Sequence, residues 1–177
     1  MYIDSEYFEE IALEIKRVYK SSGVQIPPFT LNGMKRYRQL TRNDFDHEMV
    51  IETRWGDMDS LGHINHAKYL TYMETARVEF YSSLGFGAIR LAQNPSMILG
   101  GMNIDYFSQI EHPSVLSVCH RINRVGSNSF DFLGAIFQEN QAHPCFTGIF
   151  KMISFDYKSQ RTVEVPAMIR NRCWHDS

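Results

Sequence analysis

The chain has 177 residues, 44% hydrophobic and 21% charged, with a formal net charge of -2. That composition fits one ordinary globular domain and excludes disordered and collagen-like classes. The near balance of 18 basic and 20 acidic residues leaves no field that argues for nucleic acid or an anionic membrane as partner. Cys119, Cys145 and Cys173 form an odd set without CxxC spacing, which argues against a disulfide framework and against a cysteine zinc site. The sequence contains no run of about 18 apolar residues, and acids interrupt the apolar positions from Met1 to Lys20. It therefore reads as neither membrane-spanning nor led by a secretory signal, and the expected compartment is the cytoplasm.

From Ser5 to Lys20, apolar residues at Phe8, Ile11, Ala12, Ile15, Val18 and Tyr19 give the stripe of an amphipathic helix. Ser5 can cap it, and Gly23 and Pro27-Pro28 end it. An irregular strap carrying Lys35, Arg36 and Arg38 follows, and residues 1–45 are expected to form this helix and strap ahead of a main domain over 46–177. Alternation from Met49 to Arg54 predicts a strand, and Gly56 to Asn65 a polar loop. Leu70, Met73, Ala76, Phe80 and Leu84, backed by Tyr69, Tyr72 and Tyr81, predict a second helix ended by Gly85 and Gly87. Its apolar side chains fall on more than one stripe, so it is expected to be buried on much of its circumference.

Four further runs read as strands: Met97–Phe107, Val115–Val125, Ser129–Gln138 and Pro144–Tyr157. Turn signals at Glu111-His112-Pro113, Gly126-Ser127-Asn128 and Asn140–His143 separate them. Leu116, Val118, His120 and Ile122 alternate with polar neighbours, the pattern of a half-buried strand in which His120 is expected to be a satisfied core histidine. Short connections favour antiparallel pairing, so the fold class is α+β with a helix packed on one face of an antiparallel sheet. Residues 167–177 are too short a piece to place.

The densest polar constellation runs from Arg54 to Tyr69 and holds Asp57, Asp59, His63, Asn65 and His66 between a strand end and a helix start. Loops held by rigid elements concentrate catalytic groups. The unpaired N–H groups of Ile64, Asn65 and His66 at the helix start form a candidate site for a carbonyl oxygen that becomes negative during reaction. A carboxylate facing such a site suits acyl transfer. Three other readings remain beside it. The Asp and Asn residues can simply be caps and turn formers. His63 and His66 with Asp57 or Asp59 can ligate a divalent ion. The two acids can also pair as in a glycosidase, although no sugar-binding context surrounds them.

The motif Asp57-x-Asp59-x-x-Gly62-His63-Ile64-Asn65-His66-x-x-Tyr69-Leu70, followed by Glu74-x-Ala76-Arg77, resembles the signature of hotdog-fold thioesterases of the 4-hydroxybenzoyl-CoA thioesterase and acyl-CoA thioester hydrolase type. The resemblance implies a long helix wrapped by an antiparallel sheet, hydrolysis of an acyl-CoA thioester, and a homodimer or homotetramer with sites at subunit interfaces. By that resemblance the catalytic aspartate is Asp57, and a second family position falls on His66 with Tyr69 following; Tyr69 is expected to bind substrate, and the site chemistry gives Asn65 and His66 the task of orienting water or the thioester. Plant acyl-carrier-protein thioesterases are similar here and place the working acid and histidine at Asp59 and His63, while Glu74 is a fallback carboxylate if it is not simply ion-paired with Arg77. The alternatives in function are an acyl-carrier-protein thioesterase and a non-catalytic acyl-CoA-binding protein. Arg121, Arg124, Ser127 and Asn128 are the candidates for the CoA phosphates. A thiolate with a pKa near that of cysteine, about 8.5, leaves without a strong general acid, so no cofactor or metal is called for.

Overall fold

The computed structural model describes residues 37–85 and 95–174. The predicted N-terminal helix lies outside the described residues. The strands are β1 (His47–Glu52), β2 (Ser96–Tyr106), β3 (Val115–Val125), β4 (Ser129–Gln138), β5 (Phe146–Asp156) and β6 (Arg161–Thr162), with helices α1 (His66–Ser83) and α2 (Ala167–Arg170). All pairings are antiparallel, in the order β1-β3-β4-β5-β2, with β6 on β5. The sheet curls around α1, the arrangement of a hotdog fold.

Asn65 starts α1 as its N-cap, with Oδ1 accepting from the Ala67 N–H at 3.0 Å, and Gly85 ends it at φ 89°. Tyr69, Tyr72, Met73, Ala76, Arg77, Phe80 and Tyr81 are its buried residues, a single stripe at helical spacing. Glu74, Thr75, Val78 and Glu79 on the other side are exposed. Burial is thus confined to one face, because the sheet curls over one side of the helix only. The Glu74–Arg77 ion pair is not made among the described residues; Arg77 turns inward and lies over the Phe150 ring at 5.5 Å.

The inner face of the sheet meets that stripe in an aromatic cluster. Phe132 contacts the rings of Phe80 (5.4 Å), Tyr81 (5.3 Å), Phe130 (5.3 Å) and His120 (5.9 Å). The outer face is covered as well. Phe45 packs edge-on to Phe137, Arg42 lies over Phe137 and donates to the Gln138 and Gln141 carbonyls, and Trp174 pairs its N–H with Ile122 O. The central part of β3, expected to be half-buried, is therefore buried on both faces, Cys119 at 0% exposure and Arg121 at 5%.

His120 is a core histidine but not a satisfied one, since neither ring nitrogen has a hydrogen-bond partner among the described residues. Gly134 makes room for it: a Cβ there would stand 2.7 Å from Met73 Sδ and 3.1 Å from His120 Nε2. Burial, with the nearby charges of Arg77 and His47, pushes the His120 pKa down to about 3. The unfolded chain takes up this proton near pH 6.5 and the folded chain only near 3, so the stability this group supports is complete above pH 6.5 and is lost as pH falls below it. Urea unfolding should show a loss from this group that steepens as pH falls below 6.5 and averages about 1 kcal/mol per pH unit between pH 6.5 and 5. His120→Leu should flatten the curve over that range; an unchanged slope in the variant would refute the assignment.

Candidate active site

Asp57 closes a single 3-10 turn, Trp55–Asp57, that follows β1. That turn aims the carboxylate back at its own start, where Oδ2 accepts from the Arg54 N–H at 2.9 Å. Two side chains of α1 complete the setting. The Tyr72 hydroxyl donates to Oδ2 at 2.8 Å, and Lys68 Nζ stands 3.1 Å from Oδ1. Lys68 and Tyr72 are four apart on the helix and so share a side of it. Burial pushes the carboxyl pKa up, but the hydrogen bonds from Tyr72, Lys68 and the Arg54 backbone outweigh it and hold Asp57 below the usual carboxylate range. The result is an ionised carboxylate, 6% exposed, with Oδ2 fully engaged and Oδ1 facing one flexible ammonium.

The helix start lies against the same turn, since the Asn65 N–H donates to Asp57 O at 2.8 Å. That bond also corrects the expected oxyanion site. The Ile64 N–H is given to Ile110 O at 2.7 Å and the Asn65 N–H to Asp57 O, whereas the His66 N–H, the first of α1, meets no acceptor among the described residues. The register of the loop decides this. Its C-terminal end pairs through Ile64 with Ile110 before the helix begins, and the Tyr106 hydroxyl donates to His66 O at 3.0 Å.

The other acids and histidines of the loop go elsewhere. Asp59 Oδ1 accepts from the Leu61 N–H at 2.8 Å in a turn that needs Gly62 at φ 82°. His63 Nε2 faces Glu111 at 3.9 Å, so Asp59 and His63 do not form a side-chain pair. The His66 ring is exposed. Among the described residues no three His, Cys, Asp or Glu side chains gather around one point. Glu74 is on the solvent side of α1.

Tyr69 is a core residue, 3% exposed, packed against Tyr106 at 5.2 Å and Phe146 at 5.5 Å. Arg121 donates to Asp44 O and Asn123 Oδ1, and lies between Phe45 and Trp174, where it joins the two segments on the outer face. Arg124 pairs with Asp131 at 2.6 and 3.0 Å. The Ser127 and Asn128 carbonyls accept from the Val165 and Ser154 N–H groups. Arg124 and this turn lie at the far end of β3 from Ser114, which bonds Thr53 beside the Asp57 turn. Strand rise puts the two ends about 30 Å apart, so one chain does not bring the turn to Asp57. A groove of about 420 Å³ opens near Thr53 and His112 and is lined by Glu52, Ser114 and Gln138 among others; neither Asp57 nor His66 lines it.

The motif loop, the helix and the closing strands fall together within residues 53–173, which match the family model of the thioesterase-like superfamily. The chain belongs to that superfamily. It is thus an enzyme of the hydrolase class, a thioesterase. The PA5185 protein of Pseudomonas aeruginosa is similar at 27% identity and a TM-score of 0.68, over 75% of this chain and 92% of that one. The chloroplastic acyl-acyl carrier protein thioesterase ATL3 of Arabidopsis thaliana is 24% identical over 130 residues, 73% of this chain and 68% of its own. A Thermus thermophilus thioesterase solved with coenzyme A and zinc shares the fold at a TM-score of 0.64 and 22% identity, over 73% of this chain and 92% of that one.

Lys68 and Tyr72, which both contact Asp57, are residues of this candidate site that sequence reasoning missed. The available signal was their spacing, which puts both on one side of the helix that begins just after the motif loop.

Proposed function

We propose that this thioesterase hydrolyses acyl-CoA thioesters, with Asp57 as the acting carboxylate and the His66 N–H as a donor to the oxyanion. One observation carries the reading: the loop's buried carboxylate is kept ionised directly beside a helix start whose first N–H has no acceptor among the described residues. Oδ1 either attacks the thioester carbon to give a mixed anhydride and a thiolate, or takes a proton from the water that attacks it. In both cases negative charge builds on the carbonyl oxygen, where an aligned N–H contributes roughly 3 to 4 kcal/mol. Coenzyme A as carrier is favoured by the Thermus relative solved with it, and the plant relative named for acyl-carrier protein supplies the alternative. A thiol-release assay over acetyl- to palmitoyl-CoA and benzoyl-CoA, run beside the matching acyl-carrier-protein thioesters, should find turnover with a CoA ester. Release from carrier-protein esters alone would transfer the reading to that class.

The site is proposed to be completed in a homodimer. β2 is an edge strand with Leu99 41% and Met102 44% exposed, and Gly101 opens onto free space. Such an edge is a template for another strand. Antiparallel pairing of two β2 edges sets the far end of one sheet beside the Asp57 end of the other, which offers the partner copy's Ser127-Asn128 turn to the phosphates. Light scattering should give at least twice the chain mass of 20.6 kDa, and Met102→Lys should lower it. A wild-type monomer at micromolar concentration would refute the assembly.

A further inference from the structure

The oxyanion site has one helix amide where three were expected, and one N–H alone is a weak cradle for a full negative charge. Among the described residues the nearest cation to the reacting carboxylate is Lys68, 3.1 Å from Oδ1 and with its side chain 40% exposed. Its place in the helix is unusual for a structural residue. With Asn65 as N-cap, Lys68 is the third residue of α1, in a first turn that holds no acid, where the helix dipole disfavours a cation. Tyr72 and the Arg54 N–H already orient Asp57 through Oδ2, so the carboxylate does not need Lys68 to be held in position.

We propose that Lys68 is a catalytic residue of this hydrolysis: its ammonium follows the negative charge from Asp57 Oδ1 to the thioester carbonyl oxygen and acts as the second oxyanion donor beside the His66 N–H. The proposal rests on Asp57 as the acting carboxylate. If Oδ1 attacks, its electron pair forms the bond to the carbonyl carbon and the C=O π pair moves onto oxygen. If Oδ1 instead takes a proton from water, the water oxygen forms that bond and the π pair moves the same way. Either way one negative charge leaves Oδ1 and appears on an oxygen of the same collapsing centre, a few ångströms away. A lysine side chain on its flexible stem can follow that distance without the helix moving. When the tetrahedral centre collapses, the C–S bond breaks and the sulfur leaves as thiolate. A fixed donor serves only the final position of the charge, whereas Lys68 neutralises both the first and the last.

The test compares Lys68→Met and Lys68→Arg with the wild type and with Asp57→Asn, using the best-hydrolysed ester of the CoA panel. Lys68→Met should lower kcat at least thirtyfold with KM within threefold, and the acid limb of its pH–rate profile should move to higher pH as Asp57 loses its counter-charge. Lys68→Arg should recover most of kcat, since a guanidinium keeps the charge. A Lys68→Met enzyme within tenfold of wild-type kcat, or a Lys68→Arg enzyme no better than it, overturns the proposal. If Asp57→Asn is inactive in that experiment, the reading of Asp57 stands and Lys68 alone is rejected. An active Asp57→Asn enzyme rejects both. Thermal melting of the Met variant near the wild-type value separates lost chemistry from lost folding, and a folding loss that Arg does not repair also counts against the proposal.

Discussion

Asp57→Asn should lower kcat by at least a hundredfold while the protein still folds. The asparagine keeps the shape and can still accept from Tyr72 and the Arg54 N–H, but it has neither charge nor basicity for Oδ1 to use. What folding loses is the contact with Lys68. That lysine is 40% exposed, and ion pairs open to solvent contribute about 0 to 1 kcal/mol. Melting should therefore shift by no more than a few degrees. Stopped or coupled thiol-release kinetics under saturating ester, beside a melting curve, measure both terms. Turnover near wild type would transfer the acting acid to another carboxylate, and the geometry of Asp59 in its turn and Glu74 on the solvent side offers neither the burial nor the helix start that Asp57 has.

The largest loss of stability is expected at Phe132→Ala. Phe132 is fully buried and is the ring on which Phe80, Tyr81, Phe130 and His120 converge from α1, β3 and β4. Truncating a core phenylalanine to alanine costs about 3 to 5 kcal/mol through lost transfer energy and the cavity left behind. A domain of ordinary stability has only about 5 to 15 kcal/mol in total, so this one change takes a large share. Here the neighbours are poorly placed to collapse, because Phe80 is held by stacking on His47 at 4.7 Å and Gly134 sits under Met73 and His120. Urea unfolding should show the midpoint falling with little change in slope. A loss below about 1 kcal/mol would mean that the site repacks.

Much of the fold was legible because its signals are local. Val115–Val125 and Ser129–Gln138 are strands at the bounds that alternation and turn residues predict, and β2 and β5 differ from their expected ranges by one or two residues. The helix is where Asn65 can cap it and Gly85 can stop it. The outer face of the sheet was not legible. Arg42, Phe45 and Trp174 cover it from segments far apart in sequence, and no pattern of period 2 or 3.6 announces that a polar-looking strand face such as Cys119 and Arg121 will be buried.

The candidate site divides in the same way. Asp57, the loop and the helix start could be read from residue types and spacing, because a turn, a cap and a glycine each depend on a few neighbouring residues. The fate of the individual groups could not. Ile110 and Asp57 take the Ile64 and Asn65 amides, Lys68 and Tyr72 take the carboxylate, and Tyr69 is drawn into the core by Tyr106 and Phe146. The elements of this thioesterase were written in local sequence pattern, whereas the free N–H, the engaged oxygen and the neighbouring cation were settled only when the loop, α1 and the 106–110 segment packed together, since each buried polar group takes whatever partner that packing brings within about 3 Å.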